Sequence, residues 1–155
     1  MAVLVEEDMA EALFWRVGSI SYMNSHNIVN SGNLDRGELL GGLRRGIKEF
    51  QALFQVRELL QFPFPEATLA LGNDGSSNLY DRGILSSTHM LALMYSAELH
   101  FWLTKYDQHL AGGELDSVKL TGSRLATTYL QAAEMIPGEG WNTTRAKEIL
   151  AALSA

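Results

Sequence analysis

The chain has 155 residues, enough to bury a core without disulfide or metal staples, and its 46% hydrophobic and 19% charged content is that of a folded globular protein. Eighteen acids against 12 bases leave a net charge of −6, which argues against a free-standing nucleic-acid binder. The absence of cysteine rules out disulfides, thiolate metal sites and cysteine nucleophiles.

Glu6, Glu7 and Asp8 stand where a signal peptide needs a basic end and an apolar stretch, so a soluble cytoplasmic chain is expected. The first helix is predicted over residues 6–17, with Met9, Leu13 and Val17 at four-residue spacing as its buried stripe, Ile20 continuing it, and Phe14 and Trp15 widening it. Gly18 reads as its terminator. Residues 24–33, crowded with Ser and Asn, read as a loop. A second helix starts at Asp35, with Glu38 placed as in a capping box. Its buried face is Leu39, Leu43, Ile47, Phe50 and Phe54, and it can run to Gln61, ahead of Pro63. Gly42 and Gly46 lie on one stripe of this helix, which calls either for the close approach of another backbone or for a broken N-terminal half, with the helix firm only from Leu43.

Residues 62–83 have no helical character and form an ordered loop or a hairpin, with strands over 67–71 and 78–80 around the turn signal at 72–77. The stretch 84–111 is the centre of the fold. Its apolar run at 90–103 is about 14 residues long, short of the roughly 20 a membrane span needs. Tyr95, Leu99, Trp102, Leu103, Tyr106 and Leu110 form one apolar face, and Met90, Leu93, Met94, Ala97 and Phe101 a second. Polar seams run between them, one with His89, Ser96, His100 and Asp107, the other with Glu98, Lys105 and His109. Ser86 or Ser87 caps this helix and Gly112-Gly113 stops it. A fourth helix capped by Asp116 buries Val118, Gly122, Leu125, Tyr129, Ala132 and Ile136 and ends at Pro137. A short last helix capped by Asn142 places Ala146, Ile149, Leu150 and Leu153 on one face. The fold class is therefore all-α: a small four- to five-helix bundle, one domain over 1–155, with a central buried third helix.

The four histidines make no metal site by their spacing, because His89 and His100 are about 16 Å apart along a helix. Ser96, His100 and Asp107 share one straight helix and cannot converge as a triad. No P-loop, G-x-S-x-G or dinucleotide fingerprint occurs. Neither enzyme activity, a cofactor nor a metal is expected.

The segment AEALFWRVGSIS, the polar loop after it, the long amphipathic second helix, the Pro-rich excursion and the aromatic third helix resemble, in order, the head–tail connector (adaptor or head-completion) proteins of tailed bacteriophages. That resemblance implies a structural virion protein forming a ring, usually of twelve copies, which docks beneath a portal protein and links it to tail proteins. It would be found in the virion, and in the host cytoplasm during assembly. DNA would pass through it without sequence-specific binding, and no membrane is involved. The interface would then fall on Phe62, Phe64, Leu69, Leu71, Asp74 and Tyr80 of the excursion, and on Trp141, Ile149, Leu150 and Leu153 of a docking segment over 137–155. The alternative is a cytosolic helical regulatory or binding module, a homodimer joined through the Gly42/Gly46 stripe.

Overall fold

Spacing of apolar residues dictates four of the helices, and packing against small residues dictates the remaining one. The structure, a computed structural model, describes residues 2–32, 35–56, 87–135 and 140–154. Five helices run through them: α1 (Ala2–Asn30), α2 (Arg36–Val56), α3 (Ser87–Tyr106), α4 (Gly112–Met135) and α5 (Thr144–Ser154). Among the described residues there is no strand, and no helix is long and apolar enough to cross a membrane. The predicted loop or hairpin over 62–83 lies outside the described residues.

The bundle is built around α3, as its two apolar faces predict. This helix packs against α2 on one side and α4 on the other, with α1 and α5 touching its flanks. Met90, Leu93, Ala97, Leu99, Trp102 and Leu103 are buried, and so are Ser96, Glu98 and His100 of the polar seams. Leu39, Leu43, Phe50, Leu53 and Phe54 face it from α2, and Leu125, Tyr129 and Ala132 line the core from α4.

The sequence expectation fails at α1. Gly18 does not end this helix, and the Ser/Asn stretch assigned to a loop continues it to Asn30. The polar side chains bond back onto their own helix. The Ser19 hydroxyl donates to the Arg16 carbonyl (3.2 Å), and Asn30 Nδ2 donates to the His26 carbonyl (3.0 Å). The chain turns only at Gly32, whose φ of 75° lies in the left-handed region.

Gly18 is there for contact. A Cβ on it would lie 2.8 Å from the Phe50 ring of α2. Across the same seam a Cβ on Gly46 would lie 2.7 Å from Leu99 Cδ1 and 3.4 Å from Ser21 Cβ, and one on Gly42 3.1 Å from Ser25 Oγ. The expected close approach is therefore made by α1 of the same chain. Gly46 is thereby covered by α1 and α3, while Gly42 also lines an open groove between α1 and α2. Four rings knit the seam to α3: Trp15 stacks on Tyr95 at 5.8 Å, Tyr95 on Tyr22 at 4.0 Å, and Tyr22 on Trp102 at 5.5 Å.

Local signals place the other boundaries. The Glu38 N–H donates to Asp35 Oδ1 (3.2 Å), which is the predicted cap of α2. The Thr144 N–H donates to Asn142 Oδ1 (2.9 Å) at the start of α5. The glycine pair does not stop α3. That helix ends at Tyr106, where the Asp107 carboxylate accepts the His109 N–H (3.0 Å), and α4 starts at Gly112 rather than at Asp116. Asp107 is also tied to α2 through the Arg44 guanidinium (2.8 Å). Burial pushes its carboxyl up, but the bonds from Arg44 and the His109 N–H outweigh that and hold it below the usual range.

Candidate functional site

Three groups of polar or unpartnered residues stand out, and each is fixed by its helix. In the first, the Glu98 carboxylate is 5% exposed and has both oxygens occupied. Oε1 accepts from the Tyr22 hydroxyl and Oε2 from Arg145 Nε, whose guanidinium also reaches Glu148 (3.2 Å) and lies over the Phe101 ring (5.5 Å). Burial, and next the Glu98 bond, push the Tyr22 phenol well up. Burial works against the Arg145 charge, but the bond to Glu98 outweighs it and raises that group too. A saturated carboxylate of this kind pins α1, α3 and α5 together. The open cleft of about 340 Å³ beside it is lined by His26, Trp102, Lys105 and Arg145, among others.

The second group is the histidine seam. His100 is buried, its Nδ1 2.6 Å from the Ser96 carbonyl oxygen. Burial lowers its pKa to about 4, so it is neutral near pH 7. His89 lies 2.6 Å from a Glu11 carboxylate oxygen of α1. His100 thus meets Ser96 at its backbone carbonyl, Asp107 is bonded to Arg44 and the His109 N–H, and among the described residues no three His, Asp or Glu converge on a metal position.

The third group is the outer face of α1. Met9, Leu13, Ile20 and Met23 are 67%, 65%, 54% and 49% exposed. With Arg16 they recur at alternating spacings of four and three residues, the seam pattern of a helix that packs on another helix. The sequence expectation had Met9, Leu13 and Ile20 buried, together with Val17. The structure buries the opposite side instead, with Gly18, Ser21, Tyr22 and Ser25. Bordering the stripe is a groove of about 380 Å³, walled by Ser21, Asn24, Ser25 and Ile28 of α1 and by Glu38, Gly41, Gly42 and Arg45 of α2. Ser25 Oγ is buried there without a hydrogen-bond partner. Two competing apolar faces on one helix, at 9/13/20/23 and 14/15/18/22, are the signal that finds this surface, provided the helix is carried past Gly18.

Of the residues expected to form the interface, Trp141, Ile149, Leu150 and Leu153 lie among the described residues. Phe62, Phe64, Leu69, Leu71, Asp74 and Tyr80 lie outside the described residues. Ile149 and Leu153 are buried in the chain's own core. Leu150 and Trp141 are half-buried against that core, with Trp141 edge-on to Tyr129 at 6.5 Å.

Comparison with known proteins gives one consistent result. The profile of the RIMC1 family, described as RAB7A-interacting MON1-CCZ1 complex subunit 1, matches residues 1–154. A Danio rerio protein of that name is 30% identical over 155 positions, covering 94% of this chain and 55% of its own length. A Homo sapiens protein of the same name is 29% identical over 172 positions, covering 95% of this chain and 56% of its own. The chain spans about half the length of the curated relatives it matches. No solved structure matches it.

These matches overturn the phage resemblance, and with it the virion location, the portal and tail partners, the twelve-copy ring and the DNA passage. The physical reason is visible in α1. Phe14, Trp15, Gly18 and Ser21 of the quoted segment are what a helix needs to approach the glycine-bearing α2, so the likeness follows from packing demands. Element order in a small helical bundle is likewise cheap to reproduce. The chain belongs to the RIMC1 family, that of the RAB7A-interacting MON1-CCZ1 complex subunit 1 proteins.

Proposed function

We propose that this chain is a non-catalytic helical binding module that acts as a subunit of a MON1-CCZ1-type complex, engages a RAB7A-type partner, and seats on the complex through the outer face of α1. The observation that carries this is the outward stripe of Met9, Leu13, Ile20 and Met23. Contiguous apolar surface of this kind marks association sites, and methionine adapts well to a partner's contour. A lasting subunit contact is more apolar than a transient encounter, which assigns the stripe to the MON1-CCZ1-type complex rather than to the RAB7A-type partner. Arg16 in the middle of the stripe has no carboxylate partner among the described residues, so an acidic group is expected opposite it.

The test is a double substitution, Leu13→Glu with Ile20→Glu. Both side chains are exposed, so circular dichroism and Tm should stay at the parent's values. Each loses about 1.5–3 kcal/mol of burial in the complex, so affinity for a purified MON1–CCZ1 complex should fall about a hundredfold or more. Binding to purified RAB7A, measured separately, should persist. Undiminished capture of MON1–CCZ1 by the double variant removes the stripe from the proposal. A parent chain that binds neither protein removes the proposal itself.

A further inference from the structure

From the groove beside the stripe we infer a more specific mode of docking, which rests on the function proposed above: the α1–α2 groove receives an α-helix of the MON1-CCZ1-type partner. That helix crosses over Gly41 with a small residue, bonds Ser25 Oγ, and sets a carboxylate against Arg45.

Three independent features converge on this occupant. Gly41 lies inside a helix and exposed, and a Cβ there would meet nothing within 4 Å. Unlike Gly42 and Gly46, it serves no contact within the chain, yet a glycine in a helix interior is unfavourable. What it provides is a floor low enough for another backbone to approach. Ser25 is 1% exposed and its hydroxyl, at the wall of this groove, has no partner. A buried hydroxyl is ordinarily satisfied, so the missing bond points to a donor or acceptor brought from outside. At the rim Arg45 is exposed and has no ion-pair partner among the described residues, and neither has Lys48 one turn on, in a chain whose net charge is −6. Two cations without a described partner, against the one acid Glu38 in the groove wall, select beside this small-residue floor a helix that carries acids next to Gly, Ala or Ser. Asn24 of the groove wall lies one turn on from Ile20 of the stripe on the same side of α1, so one partner segment can cover both.

The experiment measures affinity for purified MON1–CCZ1 by biolayer interferometry, and Tm by thermal denaturation, with the 155-residue chain and three variants. Gly41→Leu fills the groove floor and should weaken binding at least tenfold, with Tm equal to the parent's or higher. Ser25→Ala removes an unsatisfied group and should leave Tm unchanged or raised while binding weakens severalfold. Arg45→Glu should weaken binding at least tenfold and flatten its salt dependence. If all three bind as the parent does while Leu13→Glu/Ile20→Glu does not, the groove is empty in the complex and only the stripe remains. If Gly41→Leu instead abolishes self-association in sedimentation and leaves MON1–CCZ1 affinity unchanged, the occupant is a second copy and the inference is overturned. A parent chain that fails to bind MON1–CCZ1 removes this inference together with the function it rests on.

Discussion

His100 is held inside the bundle in its neutral form, with its pKa lowered by burial from 6.5 to about 4. In the unfolded chain the same imidazole titrates near its ordinary value. Between those two values the unfolded state binds a proton that the folded state refuses, so stability rises with pH there and is lost as pH falls from about 6.5 to about 4. The full shift corresponds to about 3 kcal/mol. His100→Gln keeps an N–H that can serve the Ser96 carbonyl and removes the titration. Urea unfolding at pH 7.5 and pH 4.5 should therefore show the parent losing about 3 kcal/mol more than the variant, with other acid-sensitive groups cancelling in the comparison. Equal losses in both proteins mean that His100 is protonated inside the fold.

At the level of elements, helix contacts turn on a few missing Cβ atoms. Gly122 of α4 faces α3 and α5, and a Cβ there would lie 2.8 Å from His100 Cβ and 2.7 Å from Leu153 Cδ1. The leucine methyl can turn aside, but His100 Cβ moves only with the α3 backbone. Helix propensity favours alanine over glycine by about 1 kcal/mol, while overpacking costs about 1–3 kcal/mol. Overpacking should win, so Gly122→Ala is expected to lower stability by about 1–2 kcal/mol in a denaturant titration. A more stable variant shows that α3 and α4 can part freely. The same physics explains which helices were legible in the sequence. Leu39, Leu43, Phe50 and Phe54 of α2 repeat on one face, and the structure buries that face. Asp35 and Asn142 announce helix starts through chemistry local to the chain. From Gly18 onward in α1 the local signals point the other way. Gly18, Ser21 and Ser25 read as breakers because their fitness for a helix is set by Phe50, Gly46 and Gly42 of another element. For the same reason the candidate surface was assigned to the core: Met9, Leu13 and Ile20 have a core's spacing, and only the position of α2 shows that they face outward. The partner proposed above would leave no motif to read, since an interaction surface specifies shape and charge rather than a fixed set of reacting groups.

Across the whole molecule, the bundle closes upon itself through α5 and stays open along α1. An eleven-residue helix is too short to persist alone, so α5 owes its form to docking. It buries Ala146, Ile149 and Leu153, accepts the Tyr129 hydroxyl on the Asn142 carbonyl just ahead of it (2.8 Å), and sends Arg145 to Glu98. Deleting residues 141–155 would forfeit about 1.5–3 kcal/mol for each large side chain. It would also strand the Glu98 carboxylate without its cation, at a further cost of about 3–5 kcal/mol. Together these losses rival the whole stability of a domain of this size, about 5–15 kcal/mol. The truncated chain should therefore lose its cooperative thermal transition and its near-ultraviolet dichroism, the latter because the Tyr95–Tyr22–Trp102 stack depends on the same network. Adding Glu98→Gln to the truncation should restore part of the transition, since a neutral amide is far less costly to leave without a cation. The stripe variant Leu13→Glu/Ile20→Glu should melt as the parent does, because what it changes is exposed. That contrast separates the part of the chain that holds the fold from the part that meets a partner. A truncated chain that melts cooperatively at the parent's temperature reverses the assignment, making α5 a peripheral arm whose apolar face is available to another protein.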